Sequence, residues 1–577
     1  MPETISVGRY LFERLHQAPI GLNSIFGVPG DFNLTLLDKI DEVDGLQWRG
    51  NANELNAAYA ADGYSRIKSA MGDGSGGLAA LVTTFGVGEL SALNGVAGAY
   101  AEHVGLVHIV GIPSIASQQK QLLLHHTLGN GNFDVFRHMS AHITQTTGIL
   151  HDESQATAEI DRCIREAYVN QRPTYLAFPT NMVDVQIPIE SLDKPLDLSL
   201  PKNDEGSEAE VIERVLDMIS NAKDPVILVD ACAARHDCTR EAKQLIELTK
   251  FKFALTPMAK GSRHIHEDDD RFVGTYVGTL SYPQTKEAVE SSDLVLSLGA
   301  MLSDFNTGSF SYSYQTSNVV EFHSDYTKIK KAQYPNVRMK EVLNKILKSS
   351  QLKEAIKNYK PAEIKKDPFP KEDVEPASKL TQHYLWSALS TWLRDGDTII
   401  TETGTSSFGI IQTKFPRNAV GISQVLWGSI GYSVGAACGA VMAAEEFDPK
   451  NRVILFVGDG SLQLTVQELS SMIRYKNKPY IFILNNSGYT IEKLIHGETA
   501  EYNNIQPWKH QKLLETFGGE DIENVRINTI KDLNNIFSSP EFAKNDKIRV
   551  IELMLDVMDS PENLVQQAEL SAKTNSG

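Results

Sequence analysis

Two short runs carry the residues best suited to chemistry. Val453-Ile-Leu-Phe-Val-Gly-Asp-Gly-Ser461 is an apolar, β-branched stretch that stops at a glycine-flanked aspartate. Tyr480-Ile-Phe-Ile-Leu-Asn-Asn-Ser-Gly488 repeats the plan and ends on paired asparagines. Glycines let a backbone approach a phosphate closely, and a helix start beyond them attracts negative charge. Asp459, Asn486 and a carbonyl near Gly488 are oxygen donors of the kind Mg²⁺ takes, with Gly460 and Ser461 beside them. Such a set would hold a metal-bridged diphosphate. The bland alternative is a pair of ordinary strand-to-loop turns. A second Gly-Asp-Gly-Ser, at 72–75, follows no strong strand and has no paired asparagines after it, so it reads as a flexible loop.

Other reactive types lie far away in the chain. His125 and His126 are adjacent, and buried imidazoles need partners, so two core-filling histidines in a row are an unlikely pattern. General acid–base work fits them, because histidine changes charge near neutral pH. Neighbouring side chains usually diverge too far to hold one metal ion. Glu54 opens an alanine-rich helical segment, where the helix dipole alone would explain a carboxylate. Cys232, with His236 and Cys238, has no common zinc spacing and lacks a fourth ligand; a buried cysteine is the simpler reading.

The elements that must position these groups alternate apolar strands with amphipathic helices, the pattern of parallel-sheet α/β domains. Strands are expected at 24–28, 78–83, 107–111, 225–230, 294–299 and 398–401, besides the two above, and a helix over 462–469. Proline- and charge-rich connections at 188–210 and 359–378 divide the chain into domains at 1–187, 211–358 and 379–577. Ligands of open α/β sheets bind beyond the carboxyl ends of strands, where each motif lies.

The 577 residues exceed what one core holds. A net charge of −18, from 55 basic and 73 acidic residues, argues against nucleic acid and anionic membranes as partners. No run is long and apolar enough to span a bilayer, no secretory pattern opens the chain, and four scattered cysteines form no disulfide framework. The expectation is a soluble, cytoplasmic protein. Gly86-Val-Gly88 begins a dinucleotide fingerprint but lacks its third glycine.

The GDG…NN pair resembles the thiamine diphosphate motif, and with 51–66 and His125-His126 the chain resembles fungal-type pyruvate decarboxylases over nearly its whole length. Further matching runs are 84–94, 303–313 and 421–429. The resemblance implies three doubly wound α/β domains with mainly parallel sheets: pyrimidine-binding, middle and diphosphate-binding. It implies thiamine diphosphate and Mg²⁺ as cofactors, the metal held by Asp459, Asn486 and Gly488. Pyruvate would lose CO2 through a cofactor ylide and enamine, giving acetaldehyde and feeding alcoholic fermentation. Glu54 would activate the aminopyrimidine, Gly428 and Ile430 (with Ser429 between them) would bend the cofactor, and Thr403, Thr405, Tyr489 and Thr490 would line its site. Asp31, His125, His126 and Glu492 would move protons, while Cys232 and His103 match residues of substrate activation. Active sites would span the subunit interfaces of a homodimer or homotetramer. Ile491 and Thr403 would shape the substrate pocket, with larger 2-oxo acids as the alternative substrates. An acetolactate-synthase-like carboligase lacks the histidine pair, and a non-catalytic thiamine sensor would be expected to have lost an acid–base group. Three departures stand out: a longer glycine-rich stretch at 70–78, Ser487 where aspartate is common, and Ala233 where a second cysteine is frequent.

Overall fold

Strand placement follows from where the apolar runs can be buried on both faces. All five residues from Val453 to Val457 and all five from Tyr480 to Leu484 are buried, as expected of central strands in a parallel sheet covered by helices. The computed structural model describes residues 3–72, 76–367 and 374–576. Asp73, Gly74 and Ser75, the core of the 72–75 loop, fall outside them, as do residues 368–373 of the second proline-rich connection.

Three sheets organise the chain. The first contains Ser24–Gly27, Gln47–Gly50, Ala79–Thr84, Leu106–Ile112, Thr147–Ile149 and Pro173–Pro179. Numbered along the chain, these six parallel strands lie in the order 2-1-3-4-6-5. The third sheet, of Thr398–Thr401, Val420–Ile422, Val453–Gly458, Tyr480–Asn485, Ile522–Ile527 and Ile548–Met554, has the same order and is also fully parallel. In the middle sheet, Pro225–Val229, Lys252–Leu255, Phe272–Thr275, Leu294–Leu298 and Val319–Phe322 are parallel in the order 3-2-1-4-5, and an antiparallel hairpin, Tyr326–Ile329 and Ala332–Pro335, extends one edge. The expected α/β class holds, and the hairpin is an addition to it.

One expectation needs correction. The helix after Gly458 begins at Asp459 rather than beyond the glycines, ends at Thr465, and a second helix, Glu468–Arg474, follows. The Asp459 carboxylate accepts from the Gly460 amide at 2.9 Å, so the first helical turn forms inside the glycine run.

The first and third domains meet along two helices, Glu54–Met71 and Tyr432–Phe447, both rich in alanine and glycine. Their backbones touch. A carbon added at Gly439 would lie 1.8 Å from the Ala60 carbonyl oxygen, and one at Gly63 would lie 2.1 Å from that of Ala436. Beside this seam the buried Arg66 donates to Asp62 at 2.6 Å, and Tyr432 also donates to Asp62. Glu54, the first residue of its helix, is therefore mounted on a rigid support.

Candidate active site

The residues singled out in the first and third segments gather at the carboxyl ends of two sheets, in two sets. Thr403 and Thr405 follow Thr398–Thr401, and Asp459 follows Val453–Gly458. Those strands are neighbours at the point where strand order reverses, the usual ligand crevice of such sheets. A cavity there is lined by 403–406, Ile430, 458–461, Asn486 and 488–492, so it holds every third-domain candidate except Gly428 and Ser429.

Three oxygens converge in that cavity. Asn486 Oδ1 lies 3.1 Å from the Gly488 carbonyl and 3.2 Å from Asp459 Oδ1. Turned end over end, the amide would donate to both and accept from Thr490 Oγ1. The Thr490 hydroxyl has one proton, however, and spends it on the Val557 carbonyl at 2.9 Å. It is left to accept from the Asn486 nitrogen at 2.8 Å, which fixes the amide oxygen inward. Three facing acceptors without a proton between them make a site for a hard cation. Burial raises the Asp459 carboxyl to about 6, against three amide donors, Gly460, Ser487 and Gly488. A bound cation reverses that shift and keeps it ionised. Ser487, at φ +61°, donates its backbone amide to Asp459 at 2.8 Å, a contact that any side chain at this position leaves in place. Gly488, at φ +125°, backs onto the Asn503 carbonyl with no space for a side chain.

The paired asparagines divide their work. Asn485 turns back to donate to Glu552 at 2.8 Å, and Glu552 also binds His510 and Arg526. Although burial opposes it, these donors hold Glu552 down at about 2. Asn486 alone faces the cavity.

Glu402 has a comparable supporting role, and sequence reasoning missed it. This fully buried carboxylate accepts from the amides of Thr403, Gly431 and Ser433 and from the Ser433 hydroxyl at 2.6 Å. Burial raises it to about 7 despite these donors. It clamps the 403–405 turn to the turn of Gly428, Ser429 and Ile430. Ser429 is held in addition by the Tyr59 hydroxyl at 2.6 Å and by Asn94 at 2.9 Å.

The second set belongs to the first domain. Asp31 follows Ser24–Gly27, and His125 and His126 follow Leu106–Ile112. His125 Nε2 lies 2.7 Å from Asp31 Oδ2, with the His125 ring stacked on Phe32 and 4.6 Å from that of His126. Contrary to the expected divergence, ligating atoms of Asp31, His125 and His126 lie within 4.8 Å of one another. His126 adopts φ +65°, which turns adjacent rings to one side. Glu54 is half-buried, and burial raises its pKa. None of these four lines the cavity at Asp459. Glu492 does, and is exposed.

The middle domain's sheet reverses its strand order beside its first strand. Its reversal point is filled by Asp230, which binds the amides of Ala231 and Met301, the Thr256 hydroxyl and the Asn306 amide. Cys232, just beyond, lies with His103 and His236, their donor atoms within 4.8 Å. Cys238 is not part of this group; its thiol meets the His236 carbonyl. Arg172 donates to His103 Nε2 at 2.7 Å, so the neutral ring carries its proton on Nδ1 and gives it to His236 Nε2 at 3.0 Å. That arrangement uses up the lone pairs a metal would need. Burial holds His103 well below its usual pKa and His236 at about 3.

Comparison with known proteins assigns all three domains. Residues 5–144 match the N-terminal TPP binding domain of thiamine pyrophosphate enzymes, 212–349 their central domain and 402–553 their C-terminal TPP binding domain. Pyruvate decarboxylases of Kluyveromyces lactis and Candida glabrata are each 60% identical over 571 residues, and isozyme 1 of Saccharomyces cerevisiae is 58% identical, with 99% of both chains covered in every case. The chain belongs to the pyruvate decarboxylase family. Thiamine diphosphate is therefore the group its outer domains take, and the three converging oxygens suit the Mg²⁺ that accompanies it. No helix among the described residues is long and apolar enough to cross a membrane.

Proposed function

We propose that this chain decarboxylates pyruvate to acetaldehyde and CO2 in the cytoplasm, supplying alcoholic fermentation, as the names of its relatives suggest. The observation that carries the reading is the Asp31–His125–His126 cluster, an acid–base set standing apart from the metal grip. Bound thiamine diphosphate supplies a carbon nucleophile and an electron sink. The protein supplies orientation and protons.

Asp459, Asn486 and the Gly488 carbonyl hold the metal, and Gly460, Ser461, Thr403 and Thr405 surround the diphosphate with Tyr489 and Thr490. Glu54 would share a proton with a ring nitrogen of the bound cofactor, and a pKa raised by burial suits that exchange. When the cofactor is bound, the Gly428 carbonyl would accept from its amino group, and Ile430 would pack against its rings. Glu492 assists loss of CO2 and protonation, His125 sustains the proton network, and Asp31 and His126 release the aldehyde. The substrate carboxylate must lose its charge, so the site should favour the electrons left behind over the bound anion. Cys232 and His103 form a substrate-activation site between the first and middle domains. Against burial, Asp325 and Cys232 raise the neighbouring His323 to about 10, giving that site a cation.

Completing an active site takes two chains, in a homodimer or a tetramer of such pairs. Support comes from the separation of the two sets and from exposed apolar residues flanking the first, among them Leu34, Val87 and Leu123. The domain boundaries read from the sequence serve this plan, with a pyrimidine-binding and a diphosphate-binding domain around a middle one. The test is turnover of a panel of 2-oxo acids by protein loaded with Mg²⁺ and thiamine diphosphate. Pyruvate should give the highest kcat/KM with acetaldehyde as product. No turnover of any 2-oxo acid by folded, loaded protein would end this reading, and a preference for aromatic 2-oxo acids would replace its substrate.

A further inference from the structure

The segment leading into Glu54 is tied residue by residue to the third domain of its own chain. The Arg49 guanidinium lies 5.0 Å from the centre of the Tyr475 ring, and the Tyr475 hydroxyl donates to the Gly50 carbonyl at 3.0 Å. Asn51 comes next. Its Nδ2 donates to Glu468 Oε1 at 2.7 Å, while its Oδ1 accepts from the Gly27 amide and its own amide donates to the Gly27 carbonyl at 3.0 Å. Asn53 then caps the helix by accepting from the Asn56 amide at 2.8 Å. Glu54 follows directly.

Glu468 is the unusual member. It is fully buried, its Oε2 meets no nitrogen or hydroxyl donor among the described residues, and no basic side chain forms an ion pair with it there. A carboxylate at a helix start is favourable on an exposed surface, but burying one is costly unless the site uses it. Burial, the charge of Glu468 and a side-chain hydrogen bond to it hold the Cys438 thiol well above its ordinary pKa, so that thiol gives Glu468 a weak donor but no counter-charge. The strong contact Glu468 does make is the one to Asn51.

We propose that Glu468 and Asn51 are positioning residues that set the height and direction of Glu54, an inference resting on the role for Glu54 given above. The contact spans two domains. The Glu468 helix follows directly on the helix that begins with the metal ligand Asp459. If each cofactor takes its glutamate from one chain and its diphosphate grip from the other, the pair joins the acid of one site to the grip of the next. A misplacement of about 1 Å in a catalytic group costs on the order of a hundredfold in rate, so loss of the tether should be visible in the chemistry rather than in binding.

The experiment compares Asn51→Ala, Glu468→Ala, their double variant and Glu468→Gln, all as holoenzyme with Mg²⁺ and thiamine diphosphate. Exchange of the cofactor's C2-bound hydrogen for deuterium is followed by acid quench and NMR, beside kcat and cofactor affinity. Both alanine variants should slow exchange and kcat together by about tenfold or more, with affinity changed less than about threefold. The double variant should be no worse than either single one, because the two side chains act as one contact. Glu468→Gln keeps an oxygen for Asn51 and should restore most of the exchange. Wild-type exchange in folded Asn51→Ala, or fully additive losses, would overturn the proposal. If Glu468→Ala does not fold, Asn51→Ala and Glu468→Gln still decide. If the wild type exchanges rapidly but turns over no 2-oxo acid, while Asn51→Ala exchanges slowly, the positioning role stands and the substrate reading falls.

Discussion

The first and third domains share a strand order and divide the labour. Both are parallel sheets in the order 2-1-3-4-6-5, and both place candidate loops after the first and fourth strands along the chain, the third domain adding one after its third strand. In the third domain those loops converge on one point: buried Asp459, Asn486 and the Gly488 carbonyl, tightened by Glu402. In the first they present an open set, with Asp31 and His125 both about half exposed. A buried glutamate also braces each domain. Glu89 accepts from the Gly86 amide at 2.8 Å and the Tyr175 hydroxyl at 2.9 Å, as Glu402 does for its own turns. On the proposed reading, one scaffold yields a rigid grip for a fixed group and an accessible face for protons that must come and go.

If the third domain is the grip, Asp459→Ala should abolish cofactor retention and lower activity by at least about 10³-fold, checked by cofactor content after gel filtration. If the first is the proton face, Glu54→Gln should cut kcat by about 10²- to 10⁴-fold while diphosphate affinity, measured calorimetrically, stays nearly unchanged. Equal loss of affinity in both variants would erase the distinction. Glu402→Gln should weaken cofactor binding by about 10- to 100-fold, as loss of a supporting partner does, since an amide cannot accept four hydrogen bonds. Gly439→Val pushes the two domains apart at the helix seam and should lower stability by about 3 kcal/mol, read as a fall in melting temperature.

The smallest effect is a pH dependence. Burial raises Glu89 from 4.5 to about 7, so the native state keeps its proton longer than the unfolded chain. Its contribution to stability is complete below pH 4.5 and is lost as pH rises to about 7. Glu89→Gln should remove up to one proton from the linkage, flattening the stability–pH slope in that window by at most about 1.4 kcal/mol per pH unit. An unchanged slope would mean that Glu89 is charged throughout.

Much of this was legible in the sequence. Strands such as Val453–Gly458 are read from runs of apolar residues because a strand buried on both faces admits little else. The oxygen donors at 459, 486 and 488 are legible because metal chemistry restricts residue type. The supporting acids are not. Glu402, Glu468 and Glu552 each sit at a strand end, at a helix start or in a strand, where a glutamate also suits an exposed surface, and only the packed chain turns them inward. The matching strand order of the outer domains is equally invisible, since topology depends on which edges pair rather than on similar residues. The closeness of His125 and His126 was misjudged because one positive φ overrides the ordinary divergence of neighbours.

The oxygen trio also acts as a ruler for ionic radius. With metal–oxygen bonds of about 2.0 to 2.1 Å, adjacent ligands of octahedral Mg²⁺ stand about 2.9 Å apart; for Ca²⁺ the longer bonds spread them to roughly 3.4 Å. The observed 3.1 and 3.2 Å lie between the two. A few tenths of an ångström therefore separate the trio from either ion's spacing, so the smaller ion would draw the three oxygens together and the larger one would part them.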